Sequence, residues 1–226
     1  STGFISISSA TVYDSTVLFN YEDHITPDRL FEYDSQSNRL TVLKTLPGRF
    51  DAEGLAVHQY FVESKDKEKI PYFVVHRKDI PLTNSTPTIL YGYGGFEISL
   101  TPRYSAASGK LWLERGGAYA IANIRGGGEY GPRWHKAALR ENRQRAFDDF
   151  IAVAEDLIDK KITSPKHLGI MGGSNGGLLV GVALTQRPDL FNAVVCQVPL
   201  LDMYRYTRLL AGASWAAEYG DPEKPD

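Results

Sequence analysis

The sequence predicts an α/β fold whose sheet is parallel at its centre, preceded by a short all-β segment. Three observations lead there. Beyond residue 53, a hairpin with a charged turn is followed by apolar strands alternating with helical patterns, the order of an α/β sheet. Between Asn142 and Lys160 the apolar positions Phe147, Phe150, Ile151, Ala154, Leu157 and Ile158 recur at i+3/i+4, as in an amphipathic helix. Finally, the apolar run Leu168–Met171 leads into Gly172-Gly173-Ser174-Asn175-Gly176-Gly177 and then a second apolar run, which reads as strand, sharp turn and helix.

Residues 1–47 read as β throughout. Phe4, Ile5 and Ile7 begin one strand, and Ala10–Tyr13, Thr16–Tyr21 and Leu30–Asp34 supply further β-branched and aromatic runs. Turns are expected at Asp14-Ser15, Pro27-Asp28 and Ser35–Asn38. Short strands at near-regular spacing suggest a meander or one propeller blade, which cannot bury its own face and so needs partners. Leu46-Pro47-Gly48 is the expected boundary, placing a second unit at 48–226. In that unit Gly54–Ser64 and Ile70–Arg77 form the hairpin, and Thr88–Tyr91 a short buried strand. Lys110–Arg115 is helical, Gly117–Ile124 an apolar strand, and the helix after Ser174 stops at Arg187-Pro188. Ala193–Val198 is expected as one more buried strand, with Cys196 in the core.

Composition narrows the function classes. A net charge of −2 gives no electrostatic case for nucleic acid or an anionic membrane. No run approaches the ~18 apolar residues of a membrane-spanning helix. No basic region followed by an apolar core marks a signal peptide. A single cysteine fits a reducing compartment, and a cytoplasmic location is expected. With no C-x-x-C pair or H-E-x-x-H, neither metal nor cofactor is expected.

Gly172, Ser174 and Gly176 satisfy G-x-S-x-G in the strand–turn–helix context of an α/β-hydrolase nucleophile elbow. Such a turn lifts the serine hydroxyl above the sheet and sets the Asn175 N–H at a helix N-terminus, aimed at the carbonyl under attack. The Gly-rich stretch Tyr91–Phe96 follows the strand after which such folds keep a second oxyanion donor. Tyr93 there is either that donor or a packed aromatic. Gly126–Gly131 formally matches G-x-G-x-x-G, with Asp148 or Asp149 at the distance of a ribose-binding acid, so a nucleotide-binding oxidoreductase is the alternative of another class. Against it, Pro132 follows directly and the motif comes late in the sheet. All five histidines, His24, His58, His76, His135 and His167, precede Ser174. The hydrolase order puts acid and histidine after the serine, so the base is expected outside these 226 residues.

Tyr91–Phe96, Ala122–Gly131 with Trp134-His135, Gly172–Gly177 and Gln186–Phe191 together strongly resemble the prolyl oligopeptidase family, over nearly all of residues 50–226. The resemblance implies a serine peptidase that cuts short peptides after proline, with a β-propeller inserted in an α/β-hydrolase domain. Residues 1–47 would be terminal propeller strands and 48–226 a partial hydrolase domain lacking its C-terminal part. It further implies that Ser174 is the nucleophile, that the Asn175 N–H and the Tyr93 hydroxyl hold the oxyanion, and that Phe96, Trp215 and Tyr219 form the proline pocket with Leu200 beside them. A flat aromatic face stacks on a rigid pyrrolidine ring with little entropy loss. Without the family, Trp215 and Tyr219 would read as i, i+4 core partners on a helix. Glu218 is the one nearby acid that could suit a basic side chain instead; the aromatic trio favours proline. The resemblance leaves hydrolysis and peptide macrocyclisation both open, since each uses the same acyl-enzyme. The family's acid, histidine and a substrate-binding arginine would lie beyond Asp226. The expectation is therefore a fragment, inactive alone, of an enzyme that is monomeric at full length and acts on proline-containing peptides.

Overall fold

A computed structural model describes residues 3–224. The chain begins with a four-stranded antiparallel sheet, β1 (Phe4–Ala10), β2 (Thr16–Glu22), β3 (Arg29–Asp34) and β4 (Arg39–Thr45), in that order. Asx turns shape its corners. Asp23 Oδ1 accepts from the Ile25 and Thr26 N–H groups, and Asp34 Oδ1 from that of Gln36. Across β2 and β3 the directly paired Phe19 and Phe31 stack with ring centroids 5.3 Å apart. No residue of this sheet is fully buried, the condition of a single propeller blade. One expected run is corrected here. Ala10 ends β1, and Val12 and Tyr13 stand 92% and 96% exposed in the turn before β2. Their β-branched and aromatic character signals a strand only where a neighbouring surface receives it.

The second sheet has six strands in the order β10-β9-β7-β8-β6-β5. The hairpin is β5 (Leu55–Glu63) with β6 (Lys69–Arg77), antiparallel from Leu55↔Arg77 to Glu63↔Lys69. Strands β7 (Thr88–Gly92), β8 (Ala118–Ala122), β9 (Leu168–Gly173) and β10 (Ala193–Gln197) run parallel to their neighbours among themselves. A short helix α1 (Ala106–Leu111), capped by the Ser105 hydroxyl, and a 3-10 turn over Leu113–Arg115 fill the β7–β8 crossover. After β8 come the five-residue α2 (Pro132–Lys136) and the long α3 (Gln144–Asp159). Of the expected stripe of α3, Phe147, Phe150, Ala154 and Leu157 are buried in the core with Tyr72, Leu90, Leu168 and Ile170 of the sheet, Ile151 and Ile158 are half-buried at its margin, and Val153 joins the buried set. Helix α4 (Asn175–Gln186) packs beside α3 on the same face, burying Leu178, Leu179 and Val180.

Strand β10 departs from its expectation. It is the edge of the sheet, most of its residues are exposed, and Val198 just beyond it is 81% exposed. Cys196 is exposed too, with its Sγ against the Gly177 carbonyl at 3.3 Å. An all-apolar run marks a strand of a parallel sheet but does not say whether its outer side is covered. Among the described residues no helix is long and apolar enough to cross a membrane. Adjacent parallel strands β7 and β9 bring their carboxyl ends together, where open α/β sheets place their ligand crevice.

Candidate active site

The turn from β9 into α4 holds Ser174 at φ 57°, ψ −117°, a left-handed conformation that side chains rarely adopt. Its neighbours must be glycine. A Cβ on Gly172 would sit 2.1 Å from the Gly176 carbonyl oxygen, and one on Gly176 would sit 2.6 Å from that of Gly92. The Ser174 carbonyl closes the first turn of α4 by accepting from Gly177 and Leu178 at 2.9 and 3.1 Å. The Ser174 side chain makes no capping bond, so the exposed hydroxyl is left for other partners. The Asn175 N–H opens the helix beside it, at the positive end of the helix dipole.

Facing the elbow is the loop after β7. Half-buried Tyr93 places its hydroxyl close enough to Ser174 for the two to interact. Burial pushes its pKa up, and the Ser174 contact only partly offsets that, so the phenol is a neutral donor near pH 7. Phe96 lies edge-on to Tyr219 of the short α5 (Ala216–Tyr219), centroids 5.7 Å apart. Tyr206 meets Tyr219 in the same manner from the other side. Trp215 ends the 3-10 turn that leads into α5, and Leu200 follows Pro199 after β10. Both are half-buried and stand outside these ring contacts. Ser174, Tyr93, Asn175, Phe96 and Tyr219 are thus drawn together directly, whereas Trp215 and Leu200 are placed only by their positions in the chain. Trp215 and Tyr219 do not share one regular helix, because a 3-10 turn gives way to four residues of α-helix between them.

A buried polar cluster lies beneath this surface. The Asn175 side chain is fully buried; its Nδ2 donates to the Tyr93 carbonyl, and its Oδ1 accepts from Arg143 Nη2 and from the Tyr219 hydroxyl. Arg143 Nη1 donates to Glu218 Oε1 at 2.9 Å, and its guanidinium covers the Tyr219 ring at 5.3 Å. Burial lowers the Arg143 pKa, with Tyr219 and Glu218 opposing the shift. Glu218 Oε1 also accepts from the Phe96 N–H at 2.9 Å, and Oε2 meets His135 Nε2 at 2.7 Å. Sequence reasoning assigned none of these roles to Arg143, His135 or Glu218. One signal was available for Arg143. It precedes Phe147, Phe150 and Ala154 at i+4, i+7 and i+11, so a cation occupies the apolar stripe of a helix.

The Gly126–Gly131 motif serves packing. A Cβ on Gly126 would come within 2.3 Å of the Gly94 carbonyl, and one on Gly128 within 2.3 Å of the Glu97 carbonyl, so these glycines seat the loop on residues 94–97. Of the two candidate acids, Asp148 meets only Gln144 Nε2, at 2.9 Å, and Asp149 is committed elsewhere. Asp149 is fully buried and accepts from the Arg125 N–H and Nε at 3.0 and 2.9 Å, and from Nη2 at 2.6 Å. The helix that follows has only five residues. Packed glycines and a five-residue helix leave the dinucleotide alternative without its fingerprint. The five histidines are engaged away from Ser174. His135 is on Glu218, His167 Nδ1 on the Ser164 hydroxyl, and His76 Nδ1 on the Arg77 carbonyl. His58 stacks on His76, and His24 lies against Phe73.

Comparison with known proteins agrees with this geometry. A model described as the prolyl oligopeptidase family matches residues 102–226. An uncharacterized peptidase of Sinorhizobium fredii (strain NBRC 101917 / NGR234) is 58% identical over 98% of this chain and 30% of its own length. A prolyl endopeptidase of Elizabethkingia miricola is 40% identical over 93% of this chain and 30% of its own. The solved structure of a post-proline cleaving enzyme from Rickettsia typhi superposes with a TM-score of 0.90 at 46% identity, covering 99% of this chain and 32% of that one. The chain spans about 30% of the length of the curated relatives it matches. With an α/β-hydrolase sheet, a serine elbow at the end of β9 and a family match across the larger part of its length, the chain belongs to the prolyl oligopeptidase family.

Proposed function

We propose that Ser174 is the nucleophile of a serine endopeptidase that cleaves short peptides on the carboxyl side of proline. The observation that carries this is the left-handed, exposed Ser174, with the Tyr93 hydroxyl close beside it and the Asn175 N–H following at the head of α4. Ser174 Oγ attacks the prolyl carbonyl as its proton passes to a base, and the oxyanion forms between the Asn175 N–H and the Tyr93 O–H. Collapse expels the amine and leaves an acyl-enzyme, which water resolves. The five histidines of this chain are engaged elsewhere, and the relatives are more than three times as long. The base and its acid are therefore assigned to chain outside these residues, and the 226 residues alone are inactive.

Phe96, Tyr219 and Trp215, with Leu200, form the wall against which proline packs. The prolyl endopeptidase of E. miricola and the post-proline cleaving enzyme of R. typhi support that specificity by their names. Glu218 offers no free carboxylate to a basic side chain, because it is buried and its oxygens already serve Phe96, Arg143 and His135. Residues 1–47 then belong to the propeller and 48–226 to the hydrolase domain. The single cysteine fits a cytoplasmic location, and the enzyme is monomeric at full length. The test is fluorophosphonate labelling of the full-length enzyme. Ser174 takes the label and Ser174→Ala abolishes it; labelling that persists in the variant sinks the assignment.

A further inference from the structure

We propose that Glu218 is a positioning residue that sets the enzyme's selectivity for proline by pinning the loop from Tyr93 to Phe96; this rests on the peptidase function proposed above. The loop does not hold its shape by itself. Gly94, Phe96 and Glu97 all lie at positive φ, 63°, 56° and 58°, and two of these carry side chains that disfavour it. Such a conformation persists only where its surroundings over-determine it. Its own main chain contributes the Ile98 N–H to the Gly95 carbonyl at 3.0 Å and the Glu97 N–H to the Gly126 carbonyl at 3.2 Å. The remaining restraints converge on one carboxylate.

Glu218 Oε1 accepts from the Phe96 N–H at 2.9 Å, which holds the residue whose ring forms the pocket wall. The same oxygen accepts from Arg143 Nη1 at 2.9 Å. Arg143 reaches on through Nη2 to Asn175 Oδ1, and Asn175 Nδ2 donates to the Tyr93 carbonyl. One carboxylate therefore restrains both ends of the loop, directly at Phe96 and through two side chains at Tyr93. Oε2 is taken by His135 Nε2 at 2.7 Å, and Glu218 is 4% exposed, so three donors meet it in place of water. Its neighbour in sequence, Tyr219, meets Phe96 edge-on and bonds Asn175, so α5 delivers the restraint and part of the pocket together.

Glu218→Gln keeps the shape but removes the charge and one acceptor. Facing Arg143 and the Phe96 N–H, which only donate, its NH2 group breaks both bonds; facing His135, it leaves Arg143 and Phe96 a neutral and weaker acceptor. With the Phe96 backbone held less firmly, the ring no longer meets a substrate pyrrolidine at a fixed distance, while an alanyl substrate loses little. A role confined to stability lowers turnover of both substrates alike and leaves their ratio where it was.

The experiment uses the full-length enzyme and a pair of peptide substrates that differ only in proline or alanine at the cleaved residue. In wild type the ratio of kcat/KM for proline over alanine is high. In Glu218→Gln it falls ~10-fold, mainly through a higher KM for the proline substrate, while a small fluorophosphonate still labels Ser174. An unchanged ratio in labelled, folded variant overturns the proposal. Should Glu218→Gln yield no folded protein, His135→Ala removes one partner from the same carboxylate at a more exposed site; a fall of ~3-fold supports the proposal and an unchanged ratio overturns it. A wild-type enzyme that labels at Ser174 without preferring proline refutes the peptidase specificity itself, a result distinct from either variant outcome.

Discussion

Replacing Tyr93 by phenylalanine removes one oxygen and leaves the rest of the site in place. The Tyr93 carbonyl is tied to Asn175 Nδ2 through the main chain, so the loop keeps its anchor. The lost group is the hydroxyl that lies beside Ser174. In a resting complex the substrate carbonyl is neutral and gains little from it. In the transition state that oxygen carries nearly a full charge, and a preorganised donor matters most there. One such donor is worth about 3–4 kcal/mol, or ~10²–10³ in kcat. The loss stops there because the second donor, the Asn175 N–H, belongs to the backbone and survives the substitution. The assay is steady-state cleavage of a peptidyl-prolyl chromogenic substrate by the full-length enzyme. The expected result is a fall of ~10²–10³ in kcat with KM within ~3-fold of wild type. An unchanged kcat, or a loss confined to KM, refutes the assignment of Tyr93 as an oxyanion donor.

Two further outcomes follow from the same structure. Because burial raises the Tyr93 pKa above its ordinary value, the protonated, donating form is the one that persists as pH rises; the ratio of wild-type to Tyr93→Phe kcat should stay flat from pH ~6 to ~9.5, and a ratio that declines below pH ~9 contradicts it. Asp149→Ala leaves the Arg125 guanidinium, 4% exposed, with only the half-open Asp66 as counter-charge, so the hydrolase-domain transition in thermal unfolding should lose about 3–5 kcal/mol, and a loss under ~1 kcal/mol removes the buried pair from the account of stability.

How far the sequence was legible depends on the range of the interaction that decides each feature. The hairpin β5–β6, the helix α3 and the elbow are written locally. A period of two, a period of 3.6 and a run of glycines each mark a structure that neighbouring residues decide. Ser174 and Asn175 could be placed for that reason, and Tyr93 could be placed as a candidate. The exposure of β10 and the turn at Val12-Tyr13 were not legible, because burial depends on what lies across from a residue rather than beside it. The cluster beneath the site was harder still. His135, Arg143 and Glu218 meet across sequence separations of 75 to 83 residues, and no local pattern joins them. Only a charged residue on an apolar stripe betrays such a site in advance. Arg143 and Asp149 both occupy that kind of position on or beside α3, and both prove to be centres of buried ion clusters.

That coincidence bears on why charges are buried here at all. Burying an ion pair costs desolvation that its attraction barely offsets, and a well-packed apolar pair is often as stable. The cost is visible: Arg143 Nε is buried without a partner. What an apolar pair lacks is direction. Leucine in place of Glu218 would fill space while leaving the Phe96 N–H unpaired, and nothing would define where the loop stops along its path. The Arg143–Glu218 pair instead fixes four groups at hydrogen-bonding distance, the Phe96 N–H, the His135 ring, the Asn175 amide and, through that amide, the Tyr93 carbonyl. The Arg125–Asp149 pair does the same one loop away, holding the start of the segment on which residues 94–97 rest. Two buried ion pairs thus bracket the positive-φ backbone from Gly94 to Glu97 that the proposed chemistry needs held still, and the expense of each falls where a directional restraint has no apolar substitute.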